Sequence, residues 1–441
     1  MTTPQSFDDG RKNPLIGQLS VKIVVDRKAV GIIPSQYIQE CYFVEDIFES
    51  CITGKIVFTD TMGLLENGPL TGDERLTLTY GVDDNREVNF YIWQIKKIVQ
   101  TSTTAPTDDV ILEIIFVDES YYAMHARAIS YSFPAETKYT AAVKYLYKNM
   151  VGFKDTDLNI EACTNFHNDP IALPYWTVTE CTRFLLRRAK SAKTASSGYL
   201  SYNNTDEGFK ANIRTLNWLF SSNNKIDAIP YIFENTKTDV KDNNKIWEWW
   251  AQGVDKSTMK PARGGKWRAV NTGTKKLIEI PYTYGTGVIN TTTVGTKSLL
   301  PDISDNNSYQ RLTGEQTEDD LKMVIYDEWA KSYNTQMIFN FVLPGHEKRF
   351  AGQQIEVKWP SITRNELSAP VYHKQFNGKF VIKSVTHTFG QGQGNINYMQ
   401  RLVLLKNGYQ AAESEKLINI PKDRQNISEL PTKRESRLVK K

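Results

Sequence analysis

The chain has 441 residues, with 54 Lys and Arg against 50 Asp and Glu, a formal charge of +4 and four cysteines. That length supports several domains with buried cores, and the near balance of charge leaves no electrostatic footprint for nucleic acid over the chain as a whole. Cys41, Cys51, Cys163 and Cys181 stand far apart with no C-x-x-C pair, which argues against a disulfide scaffold or a cysteine zinc site.

Residues 1–16 are polar and expected to be loose, without the basic start and apolar core of a signal peptide; no apolar run approaches the ~20 residues of a membrane span. The expectation is a soluble protein with no export address. From Gln18, Leu19, Val21, Ile23 and Val25 alternate with polar residues, the period of a half-buried strand. Further strands are predicted at Tyr37 to Phe48, Cys51 to Thr59, Arg75 to Tyr80, Val88 to Val99 and Val110 to Val117, with a turn-rich connection from Asp60 to Glu74. Residues 17–118 therefore read as one antiparallel β domain.

Residues 119–197 form an α+β connecting section. Val143, Leu146, Tyr147 and Met150 recur at helical spacing before Gly152, and Thr177-Val-Thr-Glu180 is a capping box ahead of an amphipathic run. Asn165 to Tyr175 between them reads as a Pro-containing loop. Gly198 to Asn203 and Phe209 to Ile213 read as strands that start a second, discontinuous β domain over 198–234. Residues 235–335 read as a Trp-rich β insert followed by a helix that Thr317-Glu-Asp-Asp320 caps and that carries Leu321, Val324, Ile325 and Trp329 on one face.

The second β domain resumes over 336–410 with Met337 to Leu343, Ile355 to Lys358, Gly378 to Phe389 and Tyr398 to Leu405. The last two form a predicted hairpin around Gly390 to Asn395, with apolar residues on both faces, which calls for a core on one side and a partner on the other. Its order repeats the first domain, where a turn at Pro69 to Glu74 feeds a short strand and then two long ones. Residues 411–441 hold eight Lys or Arg against five Asp or Glu and read as a basic tail.

Gly54-Lys-Ile-Val-Phe-Thr-Asp60, then Pro69-Leu-x-Gly-Asp-Glu74, and the closing Gly378-Lys-Phe-Val-Ile-x-x-Val-x-His387 with its return strand resemble the baseplate hub protein of contractile-tailed bacteriophages. The related first part of type VI secretion spike proteins has a similar plan. The resemblance spans residues 17 to 410 and implies a β-rich α+β, multidomain chain with two tube-like antiparallel β-barrel domains, a helical connecting section and a β-rich insert. It implies a homotrimer whose six similar domains meet the sixfold tail tube, or a tube-initiator protein, on one side and the threefold central spike on the other. Two copies per chain, taken three times, would resolve that symmetry mismatch. DNA would pass through in transit, and no cofactor or membrane contact is implied. The tape-measure protein and wedge or peripheral baseplate proteins are further candidate partners. The implied setting is the virion tail, assembled in the host cytoplasm. Turn and interface positions on this reading are Asp60, Pro69, Leu70, Gly72, Gly352, Gly378, His387 and Val403. The insert and the basic tail depart from the family.

Residue chemistry gives no catalytic constellation. Gly390-Gln-Gly-Gln-Gly-Asn395 joins strand to strand and does not fit G-x-G-x-x-G, so a hairpin turn is expected there. The five histidines show no ligand spacing, no G-x-S-x-G element occurs, and pairs such as Asp118 and Glu119 are ordinary. Trp247, Trp249, Trp250 and Trp267 lie among basic residues; a compact aromatic core is expected, with a peripheral protein contact as the functional alternative. A rival reading of the whole chain is a carbohydrate-binding or glycoside-cleaving β protein of a tail, using these tryptophans and scattered carboxylates.

Overall fold

The computed structural model describes residues 16–25, 28–60, 63–64, 74–100, 110–193, 198–221, 224, 231–232, 246–252, 265–270, 277–282, 296–297, 311–313, 323–324, 327, 331, 337–359, 377–391, 396–406 and 409–410. The first section contributes β1 (Ile16–Val25), β2 (Lys28–Ile33), β3 (Ile38–Asp46), β4 (Thr53–Asp60), β5 (Arg75–Gly81), β6 (Arg86–Gln100) and β7 (Val110–Asp118). Their alternation is strict where one face is buried: β4 and β5 put every second residue inside, among them Ile56, Phe58, Leu76 and Leu78.

The connecting section holds β8 (Ala128–Phe133), helix α1 (Tyr139–Leu146), β9 (Leu158–Ile160), β10 (Ile171–Thr177), α2 (Val178–Leu186), β11 (Tyr199–Asn204), β12 (Lys210–Thr215) and the single turn α3 (Leu216–Leu219). Helix α1 widens into a π turn and stops at Gly152, whose φ of 100° is open to glycine at little cost. The Thr177–Glu180 capping box forms as the sequence predicts. The expected loop over Asn165 to Tyr175 instead contains most of β10, paired with β8. Pro174 misled the reading: it sits where the register shifts, next to Tyr175 at φ 40°, so the missing N–H costs no ladder bond. The strands over 198–215, expected to open the second β domain, form a three-stranded sheet in which β11 pairs with β12 and β12 with β9, and Tyr199, Ala211 and Ile213 join the core of α1 and α2.

The remaining strands are β13 (Tyr231–Ile232), β14 (Glu248–Gln252), β15 (Gly265–Val270), β16 (Leu277–Tyr282), β17 (Thr296–Lys297), β18 (Arg311–Thr313), β19 (Met337–Pro344), β20 (Gln354–Lys358), β21 (Gly378–Gln391), β22 (Ile396–Lys406) and β23 (Tyr409–Gln410). Strands β15, β16 and β18 make a small sheet of their own, and β17 pairs with β23. Of the predicted helix after Thr317, only residues 323, 324, 327 and 331 fall among the described residues.

One strand order occurs twice in the large sheet. The first copy runs β1-β5-β6-β7-β4-β3 and the second β13-β20-β21-β22-β19-β14. The register agrees through the first bulge of each copy, after which β6 skips a second residue, Lys96, where β21 runs on without a shift. Val44, Thr53, Val117, Tyr91 and Arg75 lie in one row across the first copy, and Gln252, Ile338, Leu405, Val381 and Gln354 in the matching row of the second. Two residues beyond Tyr91 the pairing of β6 skips Trp93, and two beyond Val381 that of β21 skips Lys383. Even the amide entering each bulge is held alike, Ile92 N to Glu74 O and Ile382 N to Gln353 O, both at 2.9 Å. The copies differ at the sixth strand, since β1 is antiparallel to β5 whereas β13 is parallel to β20.

Beyond its bulge, β21 leaves β20 and pairs with β3 of the first copy from Ser384 to Gly390, while Ile396 and Asn397 of β22 oppose Gly17 and Ile16 of β1. The hairpin thus serves three cores. Phe389, Ile396 and Tyr398 join that of the first copy, Phe380, Ile382, Leu402 and Leu404 that of the second, and Val381 and Leu405 pack with Leu200, Leu216 and Leu219. This division accounts for its two apolar faces.

Candidate functional site

The seam where β3 meets β21 carries a buried polar cluster. Alternation along β3 sends Glu45 away from Val44 and into the interior, where it is fully buried. Its carboxylate accepts from Thr205 Oγ1 at 2.6 Å and from Ala351 N at 2.9 Å. Burial nevertheless raises its pKa to about 7, because those bonds replace only part of the lost hydration. Glu45 therefore ties the first copy to the connecting section and to the loop before β20.

His387 of β21 is equally buried and stacks on Phe43 of β3 with ring centroids 4.2 Å apart. Its Nδ1 lies 2.7 Å from the Tyr398 hydroxyl and 3.1 Å from Gln400 Nε2, and its Nε2 lies 3.8 Å from Glu45 Oε1. Burial, with Arg86 and Arg349 nearby, holds the imidazole well below its ordinary pKa. Gln400 Oε1 accepts from Arg349 NH1 at 2.7 Å and its Nε2 donates to His346 O at 2.9 Å. Arg349, also buried, donates to Tyr231 Oη at 2.9 Å and to Pro344 O at 2.6 Å. A second tie is Asp118 at the end of β7, which accepts from Ile52 N, Ser120 and Asn203 Nδ2.

On the rim, the Glu347 carboxylate accepts from Val82 N at 3.0 Å and Asp84 N at 3.2 Å, clasping the β5–β6 turn. Asp83, His346 and Glu347 bring one ligand atom each within 4.8 Å of one another. Lys348 pairs with Asp84 at 3.0 Å in the same place, and the amide bonds that Glu347 accepts make this cluster a clasp between loops. Elsewhere Ser50 Oγ lies 3.1 Å from His125 Nε2, in a cavity also lined by Arg183 and Lys331.

The sequence-predicted positions scatter over this frame. His387 is in the seam. Asp60 ends β4 and accepts from Leu64 N at 3.0 Å. Pro69, Leu70 and Gly72 lie outside the described residues. Gly352 has φ +88° and its amide donates to Ile382 O at 2.8 Å; a Cβ there would stand 2.2 Å from the Tyr202 hydroxyl. Gly378, at φ 116°, opens β21. Val403 is half-buried, opposite Asn340 on β19 and Ser384 on β21. Trp249 packs on Trp359 at 4.3 Å in the second core, whereas Trp250 is 42% exposed with Arg401 5.3 Å over its ring. Trp247 donates its amide to Val342 O, and Trp267 lies in β15. Glu45, Thr205, Arg349 and Gln400 were missed; a charged residue at an inward position of an alternating strand was the available signal for Glu45.

No family model matches the sequence, and no curated relative matches it. Solved structures with a similar fold are tail proteins. A tail protein from Neisseria meningitidis MC58 superposes with a TM-score of 0.51 at 10% identity, over 89% of this chain and 98% of that one. The 43 kDa tail protein of prophage MuSo2 from Shewanella oneidensis gives 0.49 at 10% identity, over 88% and 98%. A type VI secretion component of E. coli, the c3393 protein, gives 0.46 at 10% identity, over 85% and 76%. The chain thus shares the fold of the Neisseria tail protein over 89% of its length. No helix among the described residues is long and apolar enough to cross a membrane.

Proposed function

We propose that this chain is a structural component of a contractile tail: a homotrimeric baseplate hub that joins a sixfold tube to a threefold spike. The observation that carries the reading is the duplicated strand order and register within one chain. Two equivalent sheets per chain, taken three times, offer six like surfaces to a tube while the remainder of the chain stays threefold. The copies serve as two tube-like barrels, the first completed by the distal half of the β21–β22 hairpin. The fold shared with the Neisseria tail protein supports the same assignment.

The mechanism is geometric. The cluster around Glu45 and His387 locks both sheets and the connecting section into one unit, so that load on the tube passes to the spike without hinge motion between copies. The bore passes DNA in transit, for which tight phosphate contacts would be a hindrance. The basic tail, the 235–335 section and Val403 are the surfaces we assign to spike, tape-measure and peripheral baseplate proteins. Light scattering on the purified 50.4 kDa chain, alone and with its spike, is the test: trimers are expected, and a monomer in both samples overturns the proposal.

A further inference from the structure

Each copy of the repeated sheet has a strand edge that the other copy shows how to fill. In the second copy, β21 leaves β20 at its bulge, and its continuing edge from Ser384 to Gly390 is taken by β3 of the first copy. In the first copy, β6 leaves β5 at the equivalent bulge, Tyr91 being its last partner, and continues to Gln100 with β7 on one side. Among the described residues no strand pairs with the other side of Gln94 to Gln100. Conversely, the counterpart of β3 is β14, which ends the large sheet and pairs with β19 alone among the described strands. Acceptor and donor edge are thus both present in one chain, at opposite ends of the repeat.

We infer that β14 of one chain adds to the distal half of β6 of a neighbouring copy, repeating between chains the β3–β21 pairing found within one. The inference rests on the trimer reading and names the contact that builds it. The internal pairing supplies the register. Thr386 opposes Val44 within the chain; because β6 has a second bulge that skips Lys96, by the matching rows Lys97 stands where Thr386 does and Gln252 where Val44 does. Thr388 opposes Tyr42, so Val99 should oppose Trp250. The contact is heterologous: first copy to second within a chain, second copy to first copy of the next chain. Such head-to-tail pairing closes when the rotation per copy divides a full turn. It would also cover two sheet edges whose exposed flanking aromatics, Trp93 at 38% and Trp250 at 42%, leave them open to unwanted pairing. Main-chain bonds give such added strands their strength, and the side chains fix the register.

Paired cysteines test this. The native thiols at 41, 51, 163 and 181 are all buried, so background is low. Lys97→Cys with Gln252→Cys, and separately Val99→Cys with Trp250→Cys, are oxidised in the full-length chain and run on non-reducing gels; Val44→Cys with Thr386→Cys is the intrachain calibration. At least one interchain pair should give covalent dimers and trimers at ten or more times the level of its single-cysteine variants. If light scattering shows a trimer and neither pair crosslinks between chains, the strand pairing is overturned while the trimer stands. A monomer with no crosslink overturns both.

Discussion

His387 Nε2 lies 3.8 Å from Glu45 Oε1 with both side chains fully buried, so two titratable groups face each other where the first sheet copy is sewn to the second. Neither has its ordinary proton affinity, and the departures oppose each other in their effect on stability. Glu45, raised to about 7 in the fold, binds its proton more tightly there than in the unfolded chain, so its contribution is present below its ordinary value of 4.5 and is lost as pH rises to about 7. His387, lowered in the fold, contributes stability above its ordinary value of 6.5 and loses it as pH falls.

Glu45→Gln should therefore flatten the loss of stability between pH 4.5 and 7, a term on the order of 3 kcal/mol for a shift of this size, and leave the acid limb from His387 in plain view. Urea midpoints measured at intervals from pH 4.5 to 8 check this. An unchanged slope in the variant would remove Glu45 from the account.

Gly352→Ala forces a Cβ onto the Tyr202 hydroxyl at a backbone angle that side chains rarely adopt. A loss of about 2 kcal/mol or more is expected, read as a lowered thermal midpoint. Adding Tyr202→Phe should restore part of it, because the nearest atom is that hydroxyl.

The neighbouring tryptophans should separate. Trp249→Ala opens a hole beside Trp359 and should cost about 2–3 kcal/mol, less than a fully enclosed Trp; Trp250→Ala should stay within about 0.5 kcal/mol. Denaturant titration gives both values. Carbohydrate binding lost on Trp250→Ala, with stability intact, would instead favour the rival reading.

Val403→Asp places a charge on the hairpin face opposite Leu402 and Leu404. The variant should fold as a monomer and fail to assemble, which light scattering beside circular dichroism can establish. Normal trimers would strike Val403 from the interface.

Much of this fold was legible in the chain itself. The period of two located nearly every long strand, Thr177 and Glu180 announced the start of a helix, and the repeated order of short and long strands before residue 118 and after residue 350 pointed to duplication. Those signals are local: each depends on which face of a short segment must leave water. Tertiary structure alone decided which edges meet, because the backbone groups that pair strands are the same in every residue. Hence the sequence marked the last hairpin as apolar on both faces, and only the fold divided it among three cores. For the same reason the sequence left His387 a lone histidine and Glu45 an ordinary carboxylate; burial at a shared seam changed the chemistry of both.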